Sequence, residues 1–105
     1  MSSQFDADTL IASVRAALAA ELTTEQRMFG GTAFMLGGNL LCCASRKGLM
    51  VRVGRELEAA ALARPFAGPC LGTGRPMAGF IMVEPQGVSD DASVSRWLDL
   101  ARPTW

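Results

Sequence analysis

Few side chains in this sequence could carry out chemistry, and the cysteines are the first to consider. Cys42 and Cys43 are adjacent, Cys70 stands alone, and the chain contains no histidine. Without histidine or a Cys-x-x-Cys spacing, these thiols lack the pattern of a zinc site or a redox pair. Adjacent residues of a strand point to opposite faces, so we expect one of Cys42 and Cys43 to be buried and the other to lie near the surface. The sequence therefore predicts reduced thiols, no metal and no cofactor.

Catalytic groups are equally scarce. The lack of histidine removes the commonest general base, and tyrosine is also missing. A serine or cysteine nucleophile would depend on Lys47, an arginine or a carboxylate for its activation. No two carboxylates have a spacing that would bring them together. We therefore predict no catalytic residues and a protein that is not an enzyme.

Glycine and arginine occur together in Gly72-Thr73-Gly74-Arg75, a pattern that could bind phosphate. Glycines let backbone N–H groups approach an anion, and Arg75 could complete such a site. The stretch lacks the Lys-Ser/Thr ending of a Walker loop, and Met77 stands where a dinucleotide fingerprint has its third glycine. A connecting loop is therefore the simpler interpretation, and Arg75 is kept as a candidate contact.

The second arginine and glycine group is Arg27-Met28-Phe29-Gly30-Gly31. Paired glycines at the start of a strand predict a bulge or a close approach of two backbones. Arg27 would then lie at a sheet end, where it could bind a carboxylate, a phosphate or a partner. Alternatively, Arg27 pairs with an acidic residue such as Glu25 or caps a helix C-terminus, and Met28 and Phe29 belong to the core.

Charge is balanced overall but unevenly distributed. Ten basic and ten acidic residues cancel, which does not favour a nonspecific nucleic-acid binder. Residues 27–75, however, hold seven basic against two acidic side chains. These arginines could edge a sheet between acidic helices, or they could form a basic face for an anionic partner.

The elements that must position these residues fit one domain, residues 1–105. Apolar residues recur at three- and four-residue intervals from Leu10 to Leu22, which predicts a helix capped by Asp8-Thr9. Thr23-Thr24-Glu25-Gln26 interrupts this pattern. Alternating residues then predict an antiparallel meander whose strands cover 27–36, 40–45 and 49–53.

The second half continues with a helix, an irregular segment, a strand and a helix. The second helix covers 55–64 and should pack through Leu57 and Ala61 before Pro65 stops it. Residues 65–79 predict a long connection with at most a brief strand near Cys70, followed by a strand at 80–83. Ser89-Asp90-Asp91 then caps a last helix. The predicted fold is α+β and two-layered, with an antiparallel sheet of four to five strands and helices on one face, in the order α-β-β-β-α-β(-β)-α.

Three segments resemble those of a known family. They are Arg27-Met28-Phe29-Gly30-Gly31, the strand Leu49-Met50-Val51-Arg52-Val53 after a Lys-Gly turn, and the strand Met77-Ala78-Gly79-Phe80-Ile81-Met82-Val83 before a helix that contains Trp97. Together they resemble the N-terminal domain of the TfoX/Sxy family of bacterial competence regulators. The resemblance implies a secretion-chaperone-like fold. Longer members carry a second, helical domain, so this chain resembles a stand-alone single-domain member.

Two functions of different classes follow as hypotheses. The first is a non-enzymatic interaction or regulatory module that binds a protein, with a homodimer expected, through the sheet face or edge around Arg27, Gly30, Gly31 and Arg52. A sheet face left uncovered by helices would expose an apolar patch, which a dimer would cover. The alternative is a nucleic-acid or anion binder that uses the arginines of residues 27–75. A small-molecule pocket between the sheet and residues 65–79 is a weaker alternative.

The sequence gives no sign of export or of a membrane. The N-terminus lacks a basic region followed by an apolar run, so it does not have the pattern of a secretory signal. No apolar stretch approaches the roughly 18 residues of a membrane span. We therefore expect a cytoplasmic protein.

Overall fold

A computed structural model of the protein describes residues 7–28, 30–71 and 76–102. Within these ranges the chain forms three α-helices, six strands and one short 3-10 helix. The helices are α1 (Ala7–Ala17), α2 (Arg55–Leu62) and α3 (Asp91–Ala101), and the 3-10 helix is Pro85–Val88. The strands are β1 (Thr23–Met28), β2 (Gly31–Leu36), β3 (Asn39–Ser45), β4 (Gly48–Arg52), β5 (Ala67–Leu71) and β6 (Pro76–Val83).

The strands form one antiparallel sheet in the order β1-β2-β3-β4-β6-β5. All three helices contribute to one apolar core with the strands beneath them: α1 packs on β3 and α3, α2 on β5 and β6, and α3 on β4. The α+β class and the helices on one face are thus confirmed. The sheet has six strands, however, where the sequence predicted four to five.

The additional strand is β1, which the sequence analysis treated as an interruption. Thr23-Thr24-Glu25-Gln26 extends and pairs with β2, so the predicted strand at 27–36 is in fact two strands of a hairpin. A polar edge strand does not alternate between apolar and polar residues, although threonine suits extended backbone. The predicted helical face also ended too late: α1 stops at Ala17, and Leu22 is 92% exposed.

The segment 65–79 is more regular than its composition suggested. Residues 67–71 form β5 and β6 already begins at Pro76, while Gly72-Thr73-Gly74 and Arg75 lie outside the described residues. Pro69 fits β5 because this strand is an edge of the sheet, where a missing N–H group need not break a ladder hydrogen bond. Proline and glycine content therefore gave a misleading signal here.

A β-bulge in β3 adds a side chain to the core. Met35 pairs with Leu40 and Phe34 pairs with Cys42, so Leu41 is an extra residue opposite β2. Because of this extra residue, Leu41 and its neighbour Cys42 both enter the main core. A strict alternation from Leu40 to Ser45 would place only one of the two there.

The predicted helix contacts are confirmed. Ala61 of α2 is buried in the core and Leu57 packs against it. Asp90 caps α3, where its carboxylate accepts a hydrogen bond from the Ser93 backbone N–H at 2.7 Å. The buried Trp97 of α3 donates its indole N–H to the Gly87 carbonyl at 3.1 Å. The first bond fixes the start of α3, and the second joins α3 to the 3-10 helix.

Candidate interaction surfaces

Arg27, Gly30 and Gly31 lie in the β1–β2 hairpin, at one end of the sheet. The last pair of the hairpin is Met28 with Gly31, so residues 29–30 connect the strands. Gly30 has a φ of +74°, a conformation that favours glycine in a tight reversal. Phe29 lies outside the described residues, as does the side chain of Met28.

Gly31 allows β2 to approach β3 very closely. A Cβ atom at this position would lie 2.1 Å from the Ala44 carbonyl oxygen and 2.6 Å from the Ser45 Cβ. Both neighbours belong to strand backbone or to its first side-chain atom, so neither can move aside easily. The close backbone approach that the glycine pair predicted is therefore present, and it lies between β2 and β3.

Arg27 is exposed on the outer edge of the sheet. Neither alternative partner is found in the structure: Arg27 is in a strand, not at a helix end, and Glu25 pairs with another residue. The Arg15 side chain of α1 donates to both Glu25 carboxylate oxygens, at 2.6 and 2.7 Å. This hydrogen-bonded ion pair lowers the pKa of Glu25. Among the described residues, Arg27 forms no ion pair.

The basic residues of the segment 27–75 do not form one surface. Arg27 and the turn residues Arg46 and Lys47 lie at one end of the sheet, because β1 and β3 run in the same direction. Arg52 and Arg55 lie at the opposite end, after β4 has returned. From strand spacing, Arg27 and Arg52 are roughly 17 Å apart. Arg75 lies outside the described residues.

The sheet face opposite the helices carries a second apolar cluster. We call it the helix-free face, since none of the described helices contributes to this cluster. One row of paired residues crosses it on all six strands, from Gln26 on β1 to Gly68 on β5. The cluster consists of the buried residues Ala33, Cys43, Met50 and Cys70 and the partly buried residues Met35, Leu40, Phe80 and Met82.

Arg52 is the one charged side chain that the described strands add to this face. It follows Met50 by two residues on β4, pairs with Phe80 of β6, and is partly buried. Apart from Thr24 and Gln26 on the edge strand β1, the rest of this face is mostly apolar and rich in methionine, whose flexible thioether adapts to irregular surfaces. Such a surface matches an apolar protein partner better than it matches a polyanion.

Burial raises the pKa of all three cysteine thiols and so favours the protonated form, which is the weaker nucleophile. Cys42 and Cys43 point to opposite faces as predicted, but both are buried, so the expectation that one lies near the surface is wrong. Burial raises the pKa of Cys42 to about 12, with a smaller effect of Cys43. Burial and the Cys70 thiol raise the pKa of Cys43 to about 11. Within the described ranges, no group of acidic or cysteine side chains could hold a metal ion.

No helix in the part of the chain that the structure describes is long and apolar enough to cross a membrane. Neither the curated proteins nor the solved structures include a significant match to this sequence. The family profile of the TfoX N-terminal domain matches residues 6–102, nearly the whole chain. This match covers the hairpin with Gly31, the helix-free face and the last helix, and it shows that the chain belongs to the TfoX N-terminal domain family.

Proposed function

We propose that this domain is a non-enzymatic protein-interaction module, of the kind used by competence regulators, and that its helix-free face binds an apolar protein surface. Membership of the family supports the regulatory part of the proposal. The observation that carries the binding part is the continuous apolar cluster on a sheet face to which none of the described helices adds a side chain.

The chemistry of this face specifies the partner. Met35, Leu40, Phe80 and Met82 are partly exposed and would contact apolar side chains. Arg52 at the border of the face would bind a carboxylate of the partner, because guanidinium and carboxylate groups form strong paired hydrogen bonds. The partner surface is therefore an apolar protein patch that has an acidic residue at its rim.

A charged substitution on the face tests this proposal. Tagged protein would capture its partner from an extract of its own cells, and the captured protein would be purified and titrated with three forms of the domain. We expect Met35→Lys to weaken binding at least ten-fold, because it places a charge in the apolar contact. Ser95→Lys adds the same charge at an exposed position of α3 and should bind like the wild type.

Two results would count against the proposal. A purified partner that binds Met35→Lys and Ser95→Lys equally well would show that the contact lies elsewhere. The nucleic-acid alternative would instead be favoured if the domain bound duplex DNA in low salt, if this affinity fell steeply as the salt concentration rose, and if Arg46→Glu abolished it. Thermal unfolding of each variant verifies that it is folded.

A further inference from the structure

The two edges of the sheet differ in how open they are to another strand. At one edge, β5 contains Pro69 and a register shift between Pro69 and Leu71. Proline and irregularities are the usual means of blocking an edge. At the other edge, β1 pairs regularly with β2 along its whole length and contains no proline. β1 is therefore the edge that can accept an additional strand.

The register of the hairpin indicates which backbone groups of β1 point outward. In a hairpin with a two-residue connection, the closing pair is hydrogen bonded, and hydrogen-bonded pairs then alternate along the ladder. Met28, Gln26 and Thr24 thus direct their N–H and C=O groups toward β2. Arg27 and Glu25 direct theirs to the outside, where they can bind a new strand.

Glu25 and Arg27 carry opposite charges, and these charges determine which strand, in which register, can pair with β1. Two copies of β1 can pair antiparallel so that the residues with outward backbone groups lie opposite each other. Three such registers are centred on β1, with the two-fold axis at Glu25, Gln26 or Arg27. If the centre is Glu25 or Arg27, each copy places this residue opposite itself, so like charges meet. If the centre is Gln26, Glu25 lies opposite Arg27 of the second copy, and this occurs twice by symmetry. Such cross-strand ion pairs stabilise a sheet, while like charges destabilise it.

We propose that two copies of this chain pair antiparallel through β1, with Gln26 opposite Gln26 of the second copy, to form one sheet of twelve strands. The Glu25 carboxylate, which Arg15 already holds on the helix side of the sheet, then also accepts from Arg27 of the second copy. A carboxylate has enough lone pairs for both donors. The arrangement gives Arg27 the ionic partner that the described residues of its own chain do not supply.

The exposure of Leu22 agrees with this register. Leu22 immediately precedes β1 and is 92% exposed, the more exposed of the two exposed large apolar side chains among the described residues. In the proposed register it lies across from Gly30 of the second copy. A Cβ atom at Gly30 would meet nothing within 4 Å, so there is open space beside that turn. Pairing would bring Leu22 into this space and remove part of it from water.

Charge exchange tests the contact. By sedimentation equilibrium we expect the wild type to reach twice the 11.1 kDa of one chain. Arg27→Glu places glutamates opposite each other and should weaken the dimer at least ten-fold, whereas the double variant Glu25→Arg/Arg27→Glu should recover it. Arg46→Glu makes the same charge change at the exposed β3–β4 turn and should leave the dimer unchanged. A wild-type monomer at about 100 µM, or a dimer that Arg27→Glu does not weaken, would overturn the proposal.

A cysteine introduced on β1 tests the register. Gln26 would form a pair without hydrogen bonds across the new contact, where Cα atoms are about 4.5 Å apart, within disulfide range. Under mild oxidation Gln26→Cys should therefore form a covalent dimer, and Thr24→Cys should not, because its two copies would be several residues apart. A dimer that links equally through both positions would contradict this register. Since the contact does not use the apolar cluster of the helix-free face, its failure would leave the proposed partner binding intact.

Discussion

Gly31 is a position where a single added methyl group should have a large effect on this fold. Gly31→Ala places a Cβ atom 2.1 Å from the Ala44 carbonyl oxygen, and ordinary contacts begin at about 3.4 Å. The strands must separate by about 1 Å to admit this atom, which weakens the β2–β3 ladder. Overpacked sites lose typically 1–3 kcal/mol, and because backbone must move here, we expect a loss of about 3 kcal/mol.

The assay is urea unfolding at pH 7, compared with Gly68→Ala as a matched control. Gly68 also lies in a strand, its φ is not in the left-handed region, and a Cβ atom there meets nothing within 4 Å. Alanine at residue 68 should therefore be neutral or stabilise the fold by about 0.5 kcal/mol, since it restricts the unfolded chain. If both variants had the same free energy of unfolding within 0.5 kcal/mol, roughly the error of such comparisons, the close approach would not control stability.

Three further predictions concern the buried thiols and the last helix. Because burial raises the pKa of Cys42 to about 12 and that of Cys43 to about 11, these thiols stay protonated in the folded state while they ionise near pH 9 in the unfolded state. Stability should therefore fall by about 2 kcal/mol from pH 8.5 to pH 10 in urea titrations, and the Cys42→Ala variant should lose only about half as much over the same range. Trp97→Phe removes the indole donor to the Gly87 carbonyl and should cost about 2 kcal/mol, measured by the same unfolding. Asp90→Ala removes the cap of α3 and should lower the thermal midpoint by a few degrees, whereas Asp90→Ser should recover most of the loss.

The sequence predicted those elements in which burial produces a regular pattern. Leu49 and Val51 face the core while Met50 faces away, so the alternation along β4 was visible. β1 was missed for the opposite reason: Glu25 and Arg27 lie exposed on an edge strand, where a polar residue costs nothing on either face. The bulge at Leu41 was also missed, because it depends on the pairing partner and not on β3 alone.

The candidate surfaces were also predictable from the sequence only in part. The close backbone approach at Gly31 could be predicted because a glycine pair is a local signal, although the hairpin that contains it was not. The full helix-free face could not, since Cys70, Phe80 and Met82 join it only through the order β4-β6-β5, and order in a sheet follows from packing of the whole chain. The sequence did predict that a sheet face left uncovered by helices would expose an apolar patch.

Gly31 also determines where the β1 edge lies, and the proposed dimer contact of Arg27 depends on that position. Because Gly31 brings β2 close to β3, it fixes where the hairpin lies on the sheet, and β1 follows β2 through the pairs Met28–Gly31 and Arg27–Thr32. If β2 moved away from β3 at residue 31, the outward N–H and C=O groups of residues 25 and 27 on β1 would move as well. We therefore expect Gly31→Ala to weaken the β1 dimer even in conditions where the chain stays folded, whereas Gly68→Ala, on the opposite edge strand, should leave the dimer unchanged.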